Sequence, residues 1–339
     1  MTARTRTRRL WSLAGPAVTL LFVGLLGWLI AARARSIDWD QVGAALQGYR
    51  ASTLLLAVAL AALSYALYVG FDLIGRAYTR HGVPTRRVAA IAFVSYAFNL
   101  NFGAWIGGIG MRYRLYAQQG LRPGVISRVL GMSLTTNWLG YLCLGGMVFL
   151  LRLAPLPAGW RLGADGLQLV GLLMLGAAFA YLGMCWGSRR RSWKIRGAVI
   201  HLPPLNMAML QLTLSVTNWL VISTILFVLL HGRVPVHAVL AVLLLASIAG
   251  VITHIPAGLG VIEAVFVALL ASRVPETRLL AALFAYRAIY YLLPAIVALA
   301  VYLRLEHRAH RGRRGNRGGN RGRTPISGAH VHTQGVAGK

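Results

Sequence analysis

Glu263 is the acidic side chain best placed to do chemistry, because it lies three residues past the stretch "HIPAGLG" at 254–260 within an otherwise apolar run. A charge at that depth in hydrocarbon costs at least about 2.5 kcal/mol on insertion scales, so it needs a partner and usually marks a functional site. Arg287, the one basic residue inside a predicted span, is the expected partner. The two are predicted to face one buried cavity, as a structural ion pair or as groups that handle substrate or protons.

A second group of polar residues follows the glycine-rich stretch "GGIG" at 107–110. Arg112, Tyr113 and Arg114 come next in the chain, and guanidinium groups suit a phosphate headgroup. The half-helix that starts at Gly260 would add exposed N–H groups, which also favour an anion. Arg112, Tyr113, Arg114, Glu263 and Arg287 are therefore the predicted substrate-binding residues.

Other polar residues lie within apolar runs, and they are candidates for lining a polar cavity: Asn99, Asn137, His254 and Tyr290. Hydrogen bonds between helices or ordinary core packing explain them equally well. The sequence shows no acid pair, no metal-ligand spacing, no nucleophile motif and no nucleotide-binding loop. It predicts neither an enzyme nor a bound metal or cofactor.

The composition shows which elements must position these residues. Of the 339 residues, 57% are hydrophobic and 12% charged, with a mean hydropathy of +0.64. A soluble domain would have about 25% charged residues. Runs long enough to cross a hydrocarbon core are predicted at 12–32, 51–75, 125–151, 167–186, 207–230 and 278–303.

The formal net charge of +28 raises the possibility of a nucleic-acid partner. Its distribution argues against that partner, because the arginines gather at helix ends and in loops. The segment 304–339, with "RGRRGNRGGNRGR" at 311–323, is predicted to be a disordered basic cytoplasmic tail that is attracted to anionic lipid headgroups.

Two glycine-containing segments, at about 88–122 and 237–272, are predicted to be re-entrant hairpins. The second would be about 54 Å long as one helix, which is too long for one crossing and too short for two. An offset of 150 residues places "GAWIGGIG" over "THIPAGLG" and aligns the spans on either side. This pattern predicts an inverted repeat. The expected break residues are Gly107, Gly108, Gly110, Pro256, Gly258 and Gly260.

The distribution of Lys and Arg supports the two hairpins. With both present, 26 of these residues lie inside and 8 outside, whereas single spans would give 20 and 14. The fold class is therefore predicted to be an all-α polytopic membrane protein with six spanning helices plus two re-entrant hairpins in an inverted repeat. Residues 1–11 would be a cytoplasmic N-terminus, 12–151 and 152–303 the two repeats, and both termini would be cytoplasmic.

Several long motifs resemble one family: "SYAFNLNFGAWIGGIGMRYRLY" at 95–116, "SLTTNWLGY" at 133–141, "SIAGVITHIPAGLGVIEAVFVALLA" at 247–271 and "AYRAIYYLLP" at 285–294. They are similar to the YbhN group of inner-membrane proteins, within the flippase-like lysylphosphatidylglycerol synthase transmembrane-region superfamily. The resemblance covers about 10–303 and implies a bacterial inner-membrane location. The lysyltransferase domain that some members carry is not expected here, and Ala257 stands where the family often has glycine.

Three functions follow from these observations. The resemblance and the anion-suited breaks favour a translocase that moves an anionic phospholipid, or its derivative, between leaflets. Paired hairpins also fit a transporter or channel for a small solute. A non-transporting accessory subunit of a lipid-modifying system is the third possibility. Membrane phospholipids are the expected partners.

Overall fold

The computed structural model describes residues 40, 44, 46–155, 163–188, 192–195, 198–253, 258 and 260–319. The predicted span at 12–32 lies outside these residues. In the described part the fold is helical, as the sequence predicted, apart from one short antiparallel hairpin of β1 (Ser192–Ile195) and β2 (Ala198–His201) between the first two long helices of the second half.

The first half contains α1 (Ala51–Thr79), α2 (Thr85–Gly103), a π-helical segment (Ala104–Gly110), α3 (Met111–Gln118) and α4 (Pro123–Leu150). The second half contains α5 (Gly163–Gly187), α6 (Leu205–Leu229), α7 (Val236–Thr253), α8 (Val261–Leu270) and α9 (Glu276–Tyr286). A second π-helical segment, Arg287–Leu292, joins α9 to α10 (Leu293–Gly319).

Six helical stretches of the described chain are long and apolar enough to cross a membrane. They are Ala51–Thr79, Thr85–Gln118, Asp165–Gly187, Leu205–Leu229, Val236–Thr253 and Glu276–His307. The predicted span at 125–151 is the helix α4, whose 28 residues are also long enough to cross. The protein is therefore an integral membrane protein.

The chain reverses direction at Gly103, where φ is 83° and ψ is 171°. A Cβ atom at Gly107 would lie 2.1 Å from the carbonyl carbon of Phe98 and 2.2 Å from the amide nitrogen of Asn99. Residues nine positions apart in one straight helix are about 13 Å apart, so the π-helical segment must fold back along α2. Thr85–Gln118 is thus a helical hairpin.

A second helical hairpin is formed by α7 and α8, which pack against each other. Gly258 and Gly260 have positive φ angles of 55° and 74°, which glycine adopts without steric cost. The sequence predicted a fold-back in both places, but it placed the first break at Gly107–Gly110. Gly110 instead has helical dihedrals, with φ −57° and ψ −46°.

The core lies where the two halves meet. α1 packs against α6, α4 and α2, and α4 also packs against α5 and α6. Aromatic side chains of α1, α2 and the second π-helical segment fill the centre, among them Tyr65, Phe98 and Tyr290. At the other end of the chain, α10 continues to Gly319 as a helix, whereas the sequence predicted disorder from residue 304. Its Glu306 is anchored by Arg114 and Gln118, which holds this end of the helix against the first hairpin.

Candidate functional site

Arg287 and Glu263 form the predicted ion pair, which the structure confirms. Arg287 Nε donates to Glu263 Oε1, and Nη2 donates to Glu263 Oε2 at 2.8 Å. Nη2 also donates to the carbonyl oxygen of Gly258 at 3.1 Å. We call this group (Glu263, Arg287 and the Gly258 carbonyl) the second clamp. It ties the break in the second hairpin to the second π-helical segment.

The local sequence explains why these groups meet. Gly260, in the left-handed region, ends the break and starts α8, so that Glu263 falls in its first turn. A carboxylate there complements the positive end of the helix dipole. Arg287 begins the second π-helical segment, and its guanidinium lies 5.6 Å from the ring centroid of Tyr291.

The first hairpin has a corresponding group, which we call the first clamp (Asp72, Arg112 and the Gly108 carbonyl). Arg112 donates to both carboxylate oxygens of Asp72, at 3.0–3.2 Å. Its Nη1 donates to the carbonyl oxygen of Gly108 at 3.2 Å. Tyr116 adds a hydrogen bond to Asp72 at 2.9 Å.

The two clamps act on equivalent positions, because Gly108 and Gly258 are related by the 150-residue offset. In each, a guanidinium binds a glycine carbonyl of the hairpin and a carboxylate and lies against a tyrosine ring, which is Tyr68 in the first clamp. The origins differ, since the hairpin supplies the arginine of the first clamp and the acid of the second. The inverted repeat itself stays a prediction.

Accessibility separates the two clamps. The side chains of Arg112 and Asp72 are 2% and 0% exposed, whereas those of Arg287 and Glu263 are 10% and 15% exposed. Arg112, predicted to bind substrate, therefore has its donors turned to Asp72, Gly108 and Ser133. Both arginines are buried, and the guanidinium of Arg287 is the more exposed of the two.

Arg114 holds the two halves of the chain together. It donates to Glu306 Oε1 from Nε at 3.0 Å and from Nη2 at 2.8 Å. Gln118 and Tyr302 donate to the same oxygen, each at 3.0 Å. Arg114 was predicted to contact substrate, and here it joins α3 to α10.

Tyr290 lies in a fully packed polar network instead of an open cavity. Its hydroxyl is 2.7 Å from Ser64 Oγ and 2.9 Å from the hydroxyl of Tyr96, and Ser64 donates to Asn218 Oδ1 at 2.7 Å. The network joins four elements, α1, α2, α6 and the second π-helical segment. It satisfies the hydrogen bonds of polar groups where the two halves meet. Such bonding between helices was the alternative to a polar cavity that the sequence left open.

The other predicted site residues that the structure describes make different contacts. Asn99 packs over Gly108, Tyr113 bonds Ser127 at the surface, and the carbonyl of Asn137 accepts from Ser215. His254 and Pro256 lie outside the described residues. Within the described part of the chain no group of three or more His, Cys, Asp or Glu side chains could hold a metal ion.

Asp72 is the residue that the sequence reasoning missed. It was not among the predicted site residues, yet it is buried at the centre of the first clamp. The available signal was an acid inside an apolar run, the same signal that identified Glu263.

Comparison with known proteins places the chain in a family. Residues 13–298 match the family described as "Lysylphosphatidylglycerol synthase TM region". The chain belongs to this family. Inner membrane protein YbhN of Escherichia coli is 42% identical over 300 residues, which cover 88% of this chain and 94% of YbhN. An uncharacterized protein of Synechocystis is 31% identical over 294 residues, 85% of this chain and 91% of its own length.

One further relative carries an enzyme name. A phosphatidylglycerol lysyltransferase of Staphylococcus haemolyticus is 33% identical over 86 residues, which are 24% of this chain and 10% of that protein. The family match therefore concerns the membrane region, and no catalytic domain is evident in the two relatives of which this chain covers 94% and 91%.

For this family member, Gly107→Ala is expected to destabilise the first hairpin by about 2–3 kcal/mol, because the added methyl group collides with the backbone of α2. The control is Gly131→Ala in α4, where the new methyl group meets nothing within 4 Å. That change should be neutral or stabilising by up to about 1 kcal/mol. Thermal unfolding of both variants in detergent tests this, and equal melting temperatures would contradict the fold-back at Gly103.

Proposed function

We propose that this protein moves an anionic phospholipid, or a derivative of one, between the leaflets of the bacterial inner membrane. The observation that carries the proposal is the second clamp: an arginine and a carboxylate, each with a small exposed fraction, at a break in an apolar hairpin. The predicted orientation, with both termini cytoplasmic, and the predicted re-entrant placement of the hairpins belong to the same proposal.

The physical task is to bring a charged headgroup through hydrocarbon, where an unpaired charge costs several kcal/mol. Arg287 can exchange Glu263 for a phosphate oxygen, since a guanidinium binds both anions in the same planar geometry. Protonation of Glu263 would weaken its hold on Arg287 and favour the exchange. No nucleotide site is suggested by the sequence, so the movement is passive or linked to protons.

The surface near both breaks suits the acyl chains of a lipid. Trp105, two residues after the turn at Gly103, is 78% exposed. Val251 and Ile252, just before the second break, are 53% and 70% exposed. An amphiphile could keep its chains against these apolar side chains while its headgroup reaches the second clamp. A water-soluble solute would gain nothing from them.

The test is reconstitution into liposomes that carry fluorescent phosphatidylglycerol, with dithionite quenching from outside. The wild-type protein should raise quenching above the one-leaflet level. Gly258→Leu should reduce it strongly, because φ of 55° strains any other side chain and Arg287 binds the carbonyl there. Gly131→Ala is the matched control and should behave like the wild type.

Two outcomes would contradict the proposal. If wild-type and empty liposomes give the same traces for several lipid classes, with and without a pH gradient, an accessory subunit is favoured. If encapsulated glycerophosphoglycerol escapes from the same vesicles while the lipids stay in their leaflet, the protein transports a solute.

A further inference from the structure

A cavity of about 570 Å³ lies at one end of the helix bundle, and none of its lining residues belongs to either clamp. Its walls come from the residues before α1, the turn after α6 and the first two turns of α9. The arginine distribution predicts that this end faces the outside. The lining includes Tyr49, Leu229, Leu230, His231, Arg233 and Arg278.

The charge on this lining is of one sign. Arg233 and Arg278 are both exposed, and within the described part of the chain neither has a carboxylate at ion-pair distance. No acid lies among the described lining residues. Glu276 precedes Arg278 by two positions in α9, and side chains two apart do not share a helix face.

The rest of the lining is rigid and partly apolar. The Tyr49 hydroxyl donates to the carbonyl oxygen of Leu229 at 2.8 Å, and its ring stacks on His231 with centroids 5.1 Å apart. Burial raises the pKa of Tyr49 to about 12, so the hydroxyl stays neutral. Leu229, Leu230 and Val274 supply apolar wall beside the two guanidinium groups.

We propose that this cavity binds a phosphate anion, with Arg233 and Arg278 as the ligand-binding residues, and that the occupant is a phospholipid headgroup. Two guanidinium groups on a preformed pocket suit phosphate oxygens. The apolar wall suits the glycerol and the first carbons of the acyl chains. The choice of a lipid over free phosphate rests on the proposed function. The cavity would then bind the headgroup at one face of the membrane.

The experiment measures binding to the full-length protein in nonionic detergent by microscale thermophoresis. The probes are dioctanoyl phosphatidylglycerol, dioctanoyl phosphatidylcholine, glycerophosphoglycerol and inorganic phosphate. Arg233→Gln combined with Arg278→Gln should weaken binding of the anionic probes tenfold or more. The matched control is Arg50→Gln combined with Arg273→Gln, which removes the same charge from exposed residues at this end outside the cavity. It should change binding less than twofold.

A steric variant, Ala281→Phe, fills the cavity without changing charge and should weaken the same probes. Tight binding of dioctanoyl phosphatidylglycerol with weak binding of the two soluble anions supports the lipid. Equal binding of inorganic phosphate keeps the anion site but assigns it to free phosphate. Equal affinities of the two double variants, or equal binding of phosphatidylcholine, would overturn the site. Because binding is measured without translocation, this result is independent of the liposome assay.

Discussion

Arg112→Met is expected to destabilise the folded protein by about 3–5 kcal/mol, because it leaves Asp72 charged, buried and without its main partner. Asp72→Leu should cost about as much, since it strands the guanidinium. The combined variant should regain part of the loss, because both buried charges are removed together. Recovery is incomplete, because the Gly108 carbonyl and the Tyr116 hydroxyl each lose a partner, at about 1–3 kcal/mol.

The control uses a surface ion pair of the same chemistry. Arg152 and Asp165 are bonded at 2.6 Å, but their side chains are 55% and 92% exposed. Arg152→Ala should therefore change stability by less than about 1 kcal/mol. Fluorescence-detected size exclusion after heating ranks all four variants. If Arg112→Met melts like Arg152→Ala, the first clamp does not hold the first hairpin.

The second clamp could be predicted from the sequence, and the first could not. Glu263 and Arg287 each stood alone in an apolar run, so each had one available partner. Asp72 and Arg112 are 40 positions apart, and Arg112 follows glycines beside other polar residues, which made an external ligand plausible. Whether the face of α1 that carries Asp72 meets the first hairpin depends on how the two pack together, and that is a property of the assembled fold.

The position of the first turn was missed for a similar reason. Three glycines at 107–110 suggested a break there, yet a single glycine at 103 adopts the positive φ. Gly107 is needed for a different purpose, because the backbone of α2 lies against it. A glycine that is needed because another backbone lies against it and a glycine that is needed for a positive φ angle look identical in a sequence. The sequence alone therefore cannot tell which of the glycines forms the turn.

The contacts of Arg287 allow its structural and functional roles to be separated. Glu263→Gln keeps an oxygen that can accept from Arg287, so it should cost less stability than Arg287→Gln, which loses the bonds to both Glu263 and the Gly258 carbonyl. The charge-swapped variant, Glu263→Arg with Arg287→Glu, should be more stable than Arg287→Gln, because opposite charges are again within reach.

Translocation of phosphatidylglycerol by the charge-swapped variant should nevertheless stay near the level of empty liposomes. The swapped glutamate cannot donate to the Gly258 carbonyl, and the guanidinium then extends from α8 and no longer from the second π-helical segment. Glu263→Gln should melt closer to the wild type than Arg287→Gln does, and it should lose any dependence of transport on a pH gradient, since an amide takes up no proton at neutral pH. Melting and dithionite quenching are measured on the same preparations. If transport falls only in proportion to stability across the three variants, the second clamp holds the hairpin and touches no lipid.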